Sequence, residues 1–234
     1  MTDPEQRLGY RQSRFSPPRD ATTILLVRHG ESAPFIPGEL FDSVDGHADP
    51  PLAPIGRWQA DQLAERLGPG GADAIYITTL QRTAQTAAPL ARRLGLTPQI
   101  EPDLREVYLG EWEGGLYRQH VADGHPLAAA VLRAGRWDLI PGAESNEALG
   151  ARVRRALEAI AAAHRGQRVV VVCHGGVIAT ALAYATGSSP FTFLGVDNAS
   201  ISEIVITGEA WHVRGFNERL HVADDPWADD PPQS

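Results

Sequence analysis

Apolar runs at strand spacing alternate with apolar residues at helical spacing through most of this chain. Ile24, Leu25, Leu26 and Val27 form a continuous apolar run within residues 22–27, the mark of a strand buried on both faces. A long loop follows, broken by Pro34, Pro37, Gly38, Gly46, Pro50 and Pro51. Residues 55–67 read as a helix with Ile55, Leu63 and Leu67 near one face, and 74–77 as a short strand. Residues 81–94 read as a helix burying Thr83, Ala87, Leu90, Ala91 and Leu94, and 98–101 as a short strand before a loop. The stretch 116–140 reads as helical but poorly patterned. Residues 146–164 give a clearer helix, with Leu149, Val153, Ala156, Leu157 and Ile160 on one side. Four consecutive valines after Arg168 make 168–172 the strongest strand. A helix over 176–186 follows, then a hairpin of 200–206 and 210–214 across 207–209. Strands alternating with helices imply a three-layer α/β/α sandwich around a mostly parallel central sheet. The expected organisation is a flexible lead-in (1–20), one domain (21–220) and an acidic, Pro-rich tail (221–234).

Composition narrows the picture. A length of 234 residues suits one sizeable α/β domain, or at most two small ones. No apolar run approaches the ~20 residues needed to cross a bilayer. Residues 1–20 are polar and lack the apolar centre of a secretory signal. The expectation is a cytoplasmic protein with no membrane partner. The single cysteine, Cys173, agrees, since one thiol makes neither an internal disulfide nor a cysteine zinc cage. A formal charge of −8 argues against nucleic acid as a partner but leaves room for a small anion in a local positive field. All 21 basic residues are Arg. Lysine-dependent phosphate loops and Schiff-base chemistry are therefore excluded, and any phosphate must be held by Arg, His and backbone amides.

In open α/β sheets, ligands bind beyond the carboxyl ends of the strands. Two strand ends here carry the same signature. The first ends in Arg28-His29-Gly30-Glu31-Ser32, the valine strand in Cys173-His174-Gly175-Gly176. If these strands are neighbours, both histidines meet at one edge of the sheet. Each is followed by Gly, which would let backbone amides approach a ligand, and the helix after Gly175 would offer free N–H groups to an anion. Such a pocket suits a phosphoryl group. One neutral imidazole attacks phosphorus, while the second and a pair of Arg, with Arg28 and Arg82 as candidates, stabilise the oxygens. Glu106, in a loop segment, is a candidate for delivering the proton to the leaving oxygen.

The match then becomes specific. Leu26-Val27-Arg28-His29-Gly30-Glu31-Ser32 resembles the signature of the histidine phosphatase superfamily, also called the phosphoglycerate mutase-like family. Further similar segments follow in family order: Pro51 with Leu52 through Gln59-Ala60; Thr79-Leu80-Gln81-Arg82 with Gln85-Thr86-Ala87; Leu104-Arg105-Glu106 with Gly110-Glu111-Trp112-Glu113-Gly114; Pro141-Gly142-Ala143-Glu144-Ser145; and Val172-Cys173-His174-Gly175-Gly176. The resemblance spans about residues 24–206. It implies a phosphoglycerate mutase-like fold, phosphorylation of His29, and a phosphate gripped by Arg28, Arg82 and His174, with Ser32 and Gly175 also binding substrate. Glu106 would protonate the leaving group and then activate water. It implies no metal and no organic cofactor, and a small phosphorylated substrate as the partner. It also admits a homodimer.

Other residues carry plainer readings. Glu144 and Ser145 cap the helix that starts near Asn146. Trp112 packs, or lines the pocket rim, and Asn198 is a turn residue or a pocket wall. Cys173 is a small buried hydrophobe. His47, His120, His125, His164, His212 and His221 are dispersed, without zinc spacing.

Hydrolysis is favoured over mutase chemistry on three counts. Family mutases have an Asn where this chain has Phe35. They carry a longer basic segment where residues 107–140 offer only Arg118, Arg133 and Arg136. Their lysines are absent here. A mutase and a non-catalytic phospho-ligand binder remain the alternatives. The loop over 34–49, with Glu39, Asp42, Asp45 and Asp49, is expected to form part of the pocket lid, its acidity disfavouring a second highly charged phosphate.

Overall fold

The computed structural model describes residues 12–208 and 210–223. In chain order its strands are β1 (Thr22–Arg28), β2 (Ser43–Val44), β3 (His47–Ala48), β4 (Ala74–Ile77), β5 (Gln99–Ile100), β6 (Arg168–Cys173), β7 (Ile201–Thr207) and β8 (Ala210–Glu218). Its α-helices are α1 (Pro54–Leu67), α2 (Gln81–Leu94), α3 (Leu116–Ala122), α4 (Pro126–Ala134), α5 (Asn146–Ala163) and α6 (Gly175–Thr186). The central sheet is ordered β5-β4-β6-β1-β7-β8, with β2 and β3 pairing separately. β5, β4, β6 and β1 are mutually parallel, while β7 and β8 extend the sheet in antiparallel fashion.

The continuous apolar runs of β1 and β6 follow from burial on both faces. Ile24, Leu26, Val169 and Val171 pack with Leu149, Val153, Leu157 and Ile160 of α5 and Val177, Ile178 and Leu182 of α6. Leu25, Val27, Val170 and Val172 face Leu63 and Leu67 of α1 and Ala87 and Leu90 of α2. Each such fully buried aliphatic side chain contributes about 1.5–3 kcal/mol. This is the expected three-layer sandwich, with β1 and β6 at its centre.

Several elements differ from the sequence reading in detail. The buried face of α1 is Gly56, Gln59, Ala60, Leu63, Ala64 and Leu67, not a face on Ile55. Leu94 of α2 is only half buried, and Arg82 and Thr86 join the buried face. The stretch 116–140 is α3 and α4, parted at Gly124, which has φ +67°, and restarted by Pro126 in the first turn of α4. β8 runs four residues past Arg214; as an edge strand with register shifts opposite β7, it lacks a clean apolar alternation. The folded chain also passes His221, where the tail was expected to begin: Val222 is buried in the turn Leu220–Val222. Residues 1–11 of the lead-in, Glu209 in the hairpin turn, and tail residues 224–234 lie outside the described residues.

Candidate active site

Sheet order and register bring the two strand-end motifs together. β1 pairs with β6 in parallel, with Arg28 opposite Cys173, so His29 and His174 leave adjacent strand ends side by side. The His29 N–H donates to Cys173 O (3.0 Å), and the imidazole centroids lie 5.2 Å apart, edge to face. The tautomer of His29 follows from its partners. Nδ1 lies 2.7 Å from Gly30 O, which can only accept, so Nδ1 carries the hydrogen. Arg82 Nε donates to Nε2 at 3.2 Å, so Nε2 presents its lone pair. Burial, then the charges of Arg82 and Arg28, hold His29 well below its ordinary value. Burial, then Arg82, His29 and Arg28, do the same for His174. Both rings are therefore neutral in the folded protein near neutral pH.

Arg82 comes from the first turn of α2. It is buried, donates from Nη1 to Ala48 O (2.9 Å), and lies 3.9 Å from Asp49 Oδ1. Burial lowers its pKa to about 10, so it keeps its charge at neutral pH. Arg28 donates from Nη1 to Val196 O. Arg28 Nε and His174 Nδ1 are buried without a protein partner. Such groups cost about 1–3 kcal/mol each when left unsatisfied, and an anion beside His29 would satisfy both. His174 Nε2 is taken by Thr78 Oγ1 at 3.1 Å. Glu106 lines the same pocket; its Oε1 accepts from Val107 N (2.9 Å) and from Gly176 N (3.1 Å) at the start of α6.

The glycine expectation is corrected at Gly30, whereas Gly175 does line the pocket. The N–H of Gly30 does not face a ligand but donates to Thr86 Oγ1 (3.0 Å). A Cβ on Gly30 would come within 2.4 Å of Gly56 O, so the glycine serves the approach of α1. The start of α6 does hold an anion, but it is the Glu106 carboxylate on Gly176. The remaining motif residues are braces for the strand-end loop. Gln59 Oε1 accepts from Glu31 N (2.8 Å) and Gln85 Oε1 from Leu52 N (2.7 Å).

The structure brings His29, Arg28, Arg82, His174, Glu106 and Gly175 around one cavity of about 300 Å³, though His174 itself stands behind the lining. Ser32 is not part of the lining; its Oγ accepts from Arg118 Nη2 (2.8 Å). Asn198 is a turn residue and not part of the pocket lining, and its Nδ2 donates to His29 O (2.9 Å), fixing the backbone of the nucleophile candidate. Trp112 is both packed and pocket-lining. Cys173 is buried, and burial raises its thiol pKa, in keeping with an inert hydrophobe. Ser145 caps α5 through Ala148 N, as expected, whereas Glu144 instead pairs with Arg152.

The 34–49 loop does line the pocket, with Phe41, His47 and Ala48, but none of its acidic residues does. Asp49 accepts from Gln81 N and caps α2, and Asp45 pairs with Arg105. Sequence reasoning gave no site role to His47, whose Nε2 is buried without a partner, and named Arg118, whose bonds go to Ser32 and Ala33, only among the basic residues of 107–140. Both sit in segments without motif spacing, so only the fold brings them to the pocket. Among the described residues no three His, Cys, Asp or Glu side chains cluster as a metal site, and no helix is long and apolar enough to cross a membrane.

A mostly parallel sheet with a histidine at each of two central strand ends, and arginines converging on one of them, defines an α/β enzyme of histidine-centred anion chemistry. Residues 24–219 match the histidine phosphatase superfamily (branch 1); the chain belongs to that family and is a phosphatase. It is 35% identical over 209 residues to a metal-independent phosphoserine phosphatase of Arabidopsis thaliana, covering 87% of this chain and 84% of the relative. It is 33% identical over 219 residues to phosphoglycerate mutase-like protein 4 of the same plant, covering 91% and 93%. A mycobacterial glucosyl-3-phosphoglycerate phosphatase of known structure superposes with a TM-score of 0.70 at 28% identity, covering 85% of this chain and all of that one (100%).

Proposed function

We propose that this phosphatase hydrolyses a small phosphorylated metabolite through a phosphohistidine on His29. The observation that carries the reading is the forced tautomer: Nδ1–H donates to Gly30 O, and the Nε2 lone pair lies beside Arg82. That lone pair attacks phosphorus as the bond to the leaving oxygen breaks. Arg28, Arg82 and the Nδ1–H of His174 hold the non-bridging oxygens. Glu106, as the acid, gives its proton to the leaving oxygen. As a carboxylate it then takes a proton from water, whose oxygen attacks phosphorus. The P–N bond breaks, and phosphate and the neutral imidazole are released.

Hydrolysis is supported over transfer to a second phosphorylated substrate by the rest of the lining, much of which is aromatic or aliphatic: Phe41, Leu109, Trp112, Tyr117, Trp137 and Leu194. Of the three basic candidates in 107–140 only Arg118 reaches the pocket; Arg136 is paired with Asp138 at the surface.

The test is p-nitrophenyl phosphate turnover under chelator, with alkaline-quenched protein examined for a phosphoryl group on His29. The expected result is turnover, an acid-labile adduct on His29, and a loss of about 10³-fold or more in His29→Gln. Undiminished turnover in His29→Gln would refute the reading.

A further inference from the structure

We infer that Arg152, clamped to Glu144, positions Glu106 for proton transfer. The inference rests on the reading of Glu106 as the general acid. Glu106 sits in a connection whose only regular structure before it is the single turn Pro102–Leu104. No sheet ladder fixes its backbone. Arg152, on α5, does so instead. Its Nη1 donates to Asp103 O and Arg105 O, both at 2.7 Å, and its Nη2 donates to Glu106 O at 2.8 Å. Its Nε and Nη2 also form a two-bond fork on the Glu144 carboxylate, each 2.8 Å. These bonds employ all five guanidinium hydrogens.

Glu144 completes the frame on the other side of Glu106. Its N–H donates to Tyr108 O (2.9 Å), and its Oε2 accepts from Tyr108 N (3.3 Å). Residues 103–108 are thus tied to one ion pair before, at and after Glu106. Both side chains of the pair are about 15% exposed or less, so the bonds are poorly screened by water. The carboxylate of Glu106 is then aimed separately by Gly176 N on α6. Neither Arg152 nor Glu144 lines the pocket. They act through Glu106, as positioning residues. A general acid displaced by about 1 Å loses on the order of 10²-fold in rate. Lysine could not replace Arg152, because an ammonium has three donors and no planar fork.

The experiment compares kcat/KM on p-nitrophenyl phosphate and on phenyl phosphate. This constant reports steps up to leaving-group departure, so the later attack of water does not enter it. p-Nitrophenolate leaves without a proton; phenolate, whose conjugate acid has a pKa of about 10, benefits from one. Glu106→Gln sets the scale and is expected to hurt phenyl phosphate far more. Arg152→Lys and Glu144→Gln are expected to lower phenyl phosphate turnover about tenfold more than p-nitrophenyl phosphate turnover. Arg155→Ala removes a surface pair from the same helix to the Asp103 side chain, and is expected to leave the ratio unchanged.

Equal losses on both substrates in Arg152→Lys and Glu144→Gln, with a selective loss in Glu106→Gln, would overturn the inference alone. Equal losses in Glu106→Gln would overturn the acid assignment and this inference with it. If Arg152→Lys does not fold, Glu144→Gln, which keeps the size and one acceptor, decides by the same ratio.

Discussion

At the scale of single residues, the pocket balances charges that have distinct jobs. Arg28, Arg82 and Arg118 line it against the carboxylates of Glu106 and Glu113. Arg82 bonds the nucleophile candidate directly. Arg118 is different: its hydrogen bonds go to the neutral Ser32 Oγ and Ala33 O, and its guanidinium lies 5.5 Å from the Phe41 ring centre. Burial and the nearby charge of Arg28 lower its pKa. It holds positive charge toward the cavity without touching His29. It should therefore favour bound anionic substrate and transition state about equally. Arg118→Met is expected to raise KM for p-nitrophenyl phosphate about tenfold with kcat changed less than about twofold. A fall in kcat at constant KM would mean that Arg118 acts in the chemical step instead.

At the scale of elements, the site depends on two backbones meeting. The loop after β1 lies on the first turn of α1, and a Cβ on Gly56 would fall 2.0 Å from Glu31 O. Backbone cannot move aside as a side chain does, so overpacking here costs at least the usual 1–3 kcal/mol, roughly. Gly56→Ala is expected to lower the urea midpoint accordingly and to reduce kcat, because the displaced loop carries His29. A variant as stable and active as the wild type would show that this contact does not set the loop. The contact also explains what the sequence could reveal. β1, β6, α2 and α5 were legible because burial on one or two faces writes an apolar period. The buried face of α1 was legible only in Leu63 and Leu67, since Gly56 and Gln59 are buried for loop bracing rather than for hydrophobicity. His29, Arg82, His174 and Glu106 were legible because motif spacing marked them. The roles of Arg152 and Asn198 were not, because they act on backbone carbonyls, and a residue that holds a carbonyl leaves no pattern in side-chain type. Arg118 sits on the short helix α3 and His47 on the two-residue strand β3, and neither element is long enough to carry an apolar period that locates a side chain in space.

At the scale of the whole molecule, placing two neutral histidines at the centre of the sheet edge couples the active site to folding. His29 and His174 are buried, and both titrate well below the ordinary imidazole value of 6.5. His221 is shifted in the same direction, chiefly by burial. As pH falls through about 6.5 the unfolded chain takes up protons on these rings while the folded chain does not. Stability therefore falls toward acid, and recovers its slope only where the folded rings protonate. Each ring taking up its proton only in the unfolded chain contributes about 1.4 kcal/mol per pH unit, so His29 and His174 together give about 2.7. The urea midpoint is expected to drop between pH 7.5 and 5.5, above the range in which ordinary carboxylates titrate. The double variant His29→Gln with His174→Gln should show a clearly shallower drop, because neutral amides take up no proton in either state. If wild type and double variant lose stability with the same slope, the histidines are not held neutral by the fold. The lone pair on His29 would then have to be explained by something other than burial between three arginines.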